Sequence, residues 1–329
     1  MLRLLAATLT LVLLALLPAA PATAQDQTGD SGIGIRLLDI PAATQDDPRA
    51  RTYIVDHVNP GNSLQRRIEV QNDTDTARSV QVYAGSARIE DGAFIGNDGA
   101  AESELTTWIT TQHDTLELPA GGSAEVLITI DVPSDASEGE QYAAIWAETR
   151  SAADATTGVQ TASRVGIRVY LSVGPGNGPA VDFTVDELLA TVDADGRPTL
   201  TATVTNTGGR ALDLTGSLSL AEGPGQLSAG PFPTEGVTTV APGEAGEVVV
   251  TMDEDLPRGP WAATLEVRSG LIVHEATATM TFGDTTPVEA QPADGTPAVL
   301  TAAALLAAAL LIVVVVILVL RRRRNRSQA

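Results

Sequence analysis

Cysteine is absent from the 329 residues. The chain therefore has no disulfide, no thiolate nucleophile and no cysteine metal site, and its domains rest on apolar cores alone. Lysine is absent too, so every basic side chain other than histidine is an arginine. The three histidines, His57, His113 and His274, are too far apart to form a metal-ligand pair one helical turn apart. There is no G-x-S-x-G elbow, no S-x-x-K pair, no phosphate-binding glycine loop and no G-x-G-x-x-G after a strand. Hydrolase, β-lactamase-like and nucleotide-binding chemistries thus lack their nucleophile or phosphate cradle. Neither a cofactor nor a metal is expected, and the chain reads as no enzyme. Carboxylates are abundant, but without geometry no glycosidase pair stands out among them. Aromatic residues make up only 3% of the chain, which allows each to be weighed singly.

The two ends are apolar in different ways. Residues 1–24 place Arg3 before an apolar run from Leu4 to Leu17, then Pro18, then small residues ending at Ala24. That order reads as a signal peptide, because the run is too short to span a bilayer and ends at a small-residue cleavage site. Ala298 to Leu320 carries no charge. As a helix it would extend about 34 Å, enough for a hydrocarbon core of about 30 Å. Arg321 to Arg324 and Arg326 follow at once, in a basic tail of residues 321–329 that marks a cytoplasmic side. The expectation is a single-pass cell-membrane protein, N-terminus extracellular and C-terminus cytoplasmic.

All 41 acidic residues lie between these ends, so nucleic acid is not a partner: its phosphates would be repelled. Strict alternation dominates this region. Ala124, Val126, Ile128 and Ile130 alternate with mostly polar neighbours, as do Val165, Ile167, Val169 and Leu171, and Leu200, Ala202 and Val204. Such spacing predicts strands with one buried face. Turn residues punctuate the runs, as at Asn72-Asp73, Asp91-Gly92, Gly121-Gly122 and Asp195-Gly196. A weak repeat runs through them: Glu125-Val126 and Asp131 recur as Glu247-Val248 and Asp253, while Val70-Gln71-Asn72 has a counterpart in Val204-Thr205-Asn206. The predicted fold is all-β, two tandem immunoglobulin-like β-sandwiches plus one C-terminal transmembrane helix. Residues 33–173 form the first sandwich and 180–283 the second, with the break at Gly174 to Pro179. The first exceeds a minimal sandwich, suggesting inserted loops at Ala42 to Thr52 and Gly85 to Thr107. Residues 284–297, rich in proline, threonine and acid, read as a stalk.

An exported sandwich works by binding, through loops or a sheet face. Tyr83 and Tyr170 fall out of phase with the apolar faces of their strands, with Gln81 and Arg168 on the same sides; these four are the candidate binding residues. Trp108, Trp146 and Trp261 are expected as core plugs, since large rings dominate burial. Asp193-Ala194-Asp195-Gly196 resembles the opening of a calcium loop but lacks the later ligands, and a hairpin turn accounts for the same residues.

Several segments of the first domain occur in a suggestive order: Ile35 to Pro41, Val58-Asn59-Pro60-Gly61, Ile68 to Asn72, Trp108-Ile109, Leu118 to Gly121, Gly139 to Ile145 and Val165 to Tyr170. In this order they resemble the peptidoglycan-binding domain of the WxL-interacting protein family of Gram-positive bacteria. The resemblance covers residues 33–173. It implies a wall-associated surface protein that binds peptidoglycan through this domain and a surface or host protein through the second. The expected function is non-enzymatic binding of cell-wall peptidoglycan or a wall-associated partner; the alternatives are a chaperone-like or adhesion module that takes exported proteins by strand addition and, from another class, a cell-wall hydrolase.

Overall fold

The computed structural model describes residues 32–151, 157–158, 160–283 and 286–293. The signal segment, the span Ala298 to Leu320 and the basic tail lie outside these. Strand accounts for 57% and helix for 6%, so the class is all-β as the alternation predicts.

Ten strands build the first half. In chain order they are β1 (Ile33–Leu37), β2 (Ile54–Val58), β3 (Ser63–Asn72), β4 (Arg78–Glu90) and β5 (Ala93–Gly96). β6 (Ile109–Thr111), β7 (Thr115–Leu118), β8 (Ser123–Asp131), β9 (Gly139–Arg150) and β10 (Ala162–Val173) follow. One sheet runs β1-β3-β8-β6; the other runs β2-β10-β9-β4-β5, with β7 also on β4. This is the two-sheet order of an immunoglobulin-like sandwich, with β2 lying parallel to the end of β10. Alternate residues face inward as their spacing requires: Ile68, Val126, Ile128 and Ile130 from one sheet meet Val80, Val82, Ile145 and Ile167 from the other, all buried. Each such side chain contributes about 1.5–3 kcal/mol on burial, which is how a disulfide-free domain holds.

The second half repeats the plan with β11 (Phe183–Val192), β12 (Pro198–Asn206), β13 (Leu212–Ala221), β14 (Ala229–Pro233) and β15 (Thr238–Val240). It is completed by β16 (Ala245–Thr251), β17 (Trp261–Ser269), β18 (Ile272–Met280), β19 (Val288–Glu289) and β20 (Gln291–Pro292). Its sheets are β16-β12-β11-β19 and β14-β13-β17-β18-β20, with β15 on β13. The sequence repeat has a structural counterpart. Val126 of β8 pairs with Ile68 of β3, and Val248 of β16 pairs with Ala202 of β12, so Asn72 and Asn206 end equivalent strands. Asp193 accepts hydrogen bonds from the Asp195 and Arg197 backbone, forming the β11–β12 turn.

Several expectations change. Residues 286–293, read as stalk, instead add β19 to β11 and β20 to β18, with Ala290 buried on the second core. Their proline- and acid-rich composition hides strands only two residues long. The stretch Gly85 to Thr107 is not a loop: it holds the end of β4, all of β5 and the start of a short helix. Two five-residue helices, α1 (Pro48–Thr52) and α2 (Glu104–Trp108), were not visible as a period because each barely exceeds one turn. The single-pass membrane localisation is also corrected. Among the described residues no helix is long and apolar enough to cross a membrane, and the two α-helices reach only about 7.5 Å.

Candidate functional site

The outer face of the sheet around β9 gathers the sequence candidates. β4, β9 and β10 are in register, so that Gln81, Glu148 and Arg164 form one row across the strands and Tyr83, Trp146 and Gly166 the next. Gly85, Ala144 and Arg168 make the third, and Tyr142 and Tyr170 pair in the fourth. All four predicted binding residues thus share one face, but in different surroundings. Gln81 is exposed, while Tyr83 is half-buried and donates to Glu148 Oε2 at 2.6 Å. That bond, with Arg150 at 2.7 Å from the other oxygen, holds the Glu148 carboxyl below its ordinary range.

Trp146 is the unexpected member of this face. Trp108 and Trp261 are buried in the two cores, but Trp146 points outward because Ile145 and Ala147 on either side take the core positions. Three glycines on three strands make room for its ring. A Cβ at Gly166 would sit 2.6 Å from Trp146 Cε3, one at Gly85 2.9 Å from Nε1, and one at Gly96 closer still to Cζ2. The Arg164 guanidinium lies 4.4 Å from the ring centroid and donates to Asn97 O at 3.2 Å, closing the outer side.

Beside this face, β10 has a free edge. It pairs with β9 over all twelve residues, from Ala162 to Val173. On its other side β2 covers only Val169 to Val173. Among the described residues, Ala162 to Arg168 have no strand partner on that side. In an extended strand about half of the backbone N–H and C=O groups point to each side, so this stretch offers a row of unmatched donors and acceptors. At its start a groove of ≈ 210 Å³ opens between the sheets, lined by Ile33, Thr149, Thr161 and Ser163 among others.

Arg168 and Tyr170 belong to a different environment, the junction between the sandwiches. Tyr170 is fully buried and donates to Asp213 Oδ1 at 3.0 Å; the same oxygen accepts from Arg168 Nη1 at 3.3 Å and from Thr239 Oγ1 at 2.8 Å. Arg49 of α1, also buried, donates from Nε to Asp213 Oδ2 at 2.8 Å and from Nη1 to Ala211 O at 2.9 Å. Tyr53, Phe94, Tyr142 and Tyr170 pack their rings around this network with centroids 5.2–6.4 Å apart. Sequence reasoning missed Asp213, Arg49 and Glu140. The one available signal was an acid inside the apolar run Ala211-Leu212-Asp213-Leu214, a position at which a strand core tolerates charge only when it is paired.

Glu140 completes the junction by accepting from the Ala211 N–H and from the Tyr142 hydroxyl at 2.9 Å. Burial pushes its carboxyl above the ordinary glutamate range despite these bonds and the nearby Arg49 and Arg210. The folded state then keeps a proton that the unfolded chain has released, so stability falls as pH rises from the ordinary glutamate range through the raised folded value. Glu140→Gln is expected to remove that slope. Urea denaturation of both proteins across this pH window measures it, and parallel curves would refute the assignment.

Among the described residues no group of three or more histidine and carboxylate side chains converges to hold a metal ion. No protein-family model and no curated protein sequence matches the chain. Solved structures are similar in outline. The YadV chaperone matches with a TM-score of 0.38 and 12% identity, over 79% of this chain and 98% of that one. The Pseudomonas aeruginosa CupB2 chaperone matches with a TM-score of 0.36 and 14% identity, over 70% and 98%. The Salmonella enterica SafB chaperone, in complex with the SafA pilin, matches with a TM-score of 0.38 and 11% identity, over 78% and 95%. At these identities and scores the likeness carries no argument about what this chain binds.

Proposed function

We propose that the chain is a chaperone-like or adhesion module that holds an extended segment of a second polypeptide by adding it as a strand to the free edge of β10. The observation that carries this reading is the seven-residue stretch Ala162 to Arg168, paired to β9 on one side and to nothing described on the other. Natural sheets cover, shorten or kink such edges, because an open one recruits backbone from elsewhere. Here β2 covers the second part of β10 and stops at the register of Val169. The wall-polymer reading has less support, since Tyr170 is buried and Arg168 is engaged by Asp213, leaving Gln81 and Tyr83 as the accessible pair.

Short peptides alternating valine with threonine test the proposal. They are expected to slow amide hydrogen exchange within Val165 to Arg168. N-methylation along one peptide edge should weaken binding by about 2- to 12-fold per lost bond, whereas methylation along the opposite edge should leave it intact. Equal tolerance of both methylations would replace strand pairing by side-chain docking, and exchange unchanged by any peptide would remove the proposal.

A further inference from the structure

The linker between the sandwiches carries a reactive pair of residues. Gly174 N–H donates to Val58 O at 3.2 Å, which fastens the start of the linker to the first sandwich, and Gly209 N–H donates to Ala180 O at 2.9 Å, which fastens its end to the second. Between these anchors the chain reads Pro175-Gly176-Asn177-Gly178-Pro179. We propose that Asn177 is a self-modification site: its side-chain amide is lost to attack by the Gly178 peptide nitrogen, and the product lengthens the tether between the sandwiches.

The reactivity follows from what the fold demands of residue 178. Its φ is +81°, in the left-handed region, and a Cβ there would sit 2.8 Å from His57 Cγ and 3.1 Å from Nδ1. The His57 ring is itself held in place on β2, with Nδ1 3.3 Å from the hydroxyl of buried Ser172. Only glycine fits, and glycine leaves the nitrogen after Asn177 without a side chain to shield it. Asn177 is exposed. Among the described residues neither its amide nor the Gly178 N–H makes a hydrogen bond, so none has to break before the ring closes.

The step balances with water as its one co-reactant. The deprotonated Gly178 nitrogen bonds to Asn177 Cγ, the Cγ–Nδ2 bond breaks, and the amide leaves as ammonia. The five-membered imide then takes up water at either carbonyl. One opening gives aspartate. The other gives isoaspartate, whose main chain runs through Cβ and Cγ and so gains a methylene. Both add a negative charge to a chain whose net charge is −21.

The other asparagines among the described residues are held out of this reaction. Pro60 follows Asn59 and has no N–H to ionise. Asn62 precedes Ser63, which is fixed in β3 opposite Asp131. Asn72 and Asn206 are buried, and their amides donate to backbone carbonyls such as Thr76 O and Arg210 O. Asn97 donates to Ser86 Oγ at 2.8 Å and accepts from Arg88.

The test ages the folded full-length chain in warm, mildly alkaline buffer beside a short peptide of the linker sequence. Isoaspartate is labelled by enzymatic methyl transfer and located by peptide mapping. Label at residue 177, ammonia release and a shift to a more acidic isoelectric form are expected, at a rate close to the peptide's. Asn177→Gln should lose all three. A folded chain that stays unlabelled while the peptide reacts would overturn the site, and so would label at Asn62 or Asn97 appearing as fast as at Asn177. Small-angle scattering tests the longer tether: the aged chain should have a larger radius of gyration than the fresh one, whereas aged Asn177→Gln and fresh Asn177→Asp should not. An unchanged radius in the labelled chain would overturn the effect on the tether while leaving the site. Equal expansion in fresh Asn177→Asp would assign the change to charge and reject the added methylene as its cause.

Discussion

Asn72→Asp is expected to destabilise the first sandwich by about 3 kcal/mol or more, beyond what Asn72→Ala costs. The Asn72 side chain is fully buried at the end of β3, where its Nδ2 donates to Thr76 O at 2.7 Å, Pro119 O at 2.9 Å and Leu118 O at 3.3 Å. Its Oδ1 accepts from Thr74 N at 3.1 Å and Thr74 Oγ1 at 2.7 Å. The amide thus stitches the β3–β4 turn to the segment after β7 with both ends occupied. Aspartate has the same shape but no donor, so an acceptor would face three carbonyl oxygens in a dry site, whereas alanine only leaves them unpaired. Asn206 performs the same task in the second sandwich, donating to Arg210 O at 2.9 Å and Val240 O at 3.1 Å while accepting from Gly208 N at 3.0 Å. Urea denaturation of Asn72→Asp and Asn206→Asp measures each latch separately. A midpoint within error of the unaltered protein would show that the latch carries no stability.

Asp213→Ala is expected to uncouple the two sandwiches. A single carboxylate accepts from Arg49, Arg168, Tyr170 and Thr239, three of them from the first sandwich and one from its own. Removing it strands a buried arginine and two hydroxyls, and truncating one partner of such a buried pair costs about 3–5 kcal/mol. The segment Gly174 to Pro179 that joins the sandwiches has three glycines and two prolines and little packing of its own, so the cost falls on their mutual orientation. The variant should unfold in two steps where the unaltered protein unfolds in one, and small-angle scattering should show a larger radius of gyration. One cooperative transition with an unchanged radius would mean that the remaining contacts, such as Thr239 N to Gly92 O at 2.7 Å, hold the junction without it.

Local pattern carried much of this fold into the sequence, and distance hid the rest. Ile128 and Ile130 announce their burial because a strand turns alternate residues to the same face whatever lies beyond. Asn72 and Asn206 were visible as a repeated position but not as latches, since their bonds reach carbonyls as far away as Pro119 and Val240. Trp146 was misread because ring size argues for a core, whereas its strand phase, between Ile145 and Ala147, argued for the outer face; phase prevailed, helped by glycines on three other strands. Of the four predicted binding residues, Arg168 and Tyr170 have the right phase for an exposed face, yet Asp213 is 45 and 43 residues away and covers them. Orientation between two domains leaves no periodic trace. The free edge of β10 was equally hidden, because where β2 stops covering it depends on a pairing between residues 115 positions apart, such as His57 and Ser172.

The placement of the three indoles has a practical consequence. Trp108 lies in one core and Trp261 in the other, while Trp146 rests beneath a guanidinium one strand in from the free edge. Fluorescence from single-tryptophan variants would therefore resolve the melting of each half and the arrival of a guest at the rim as three separate optical signals, without an added dye.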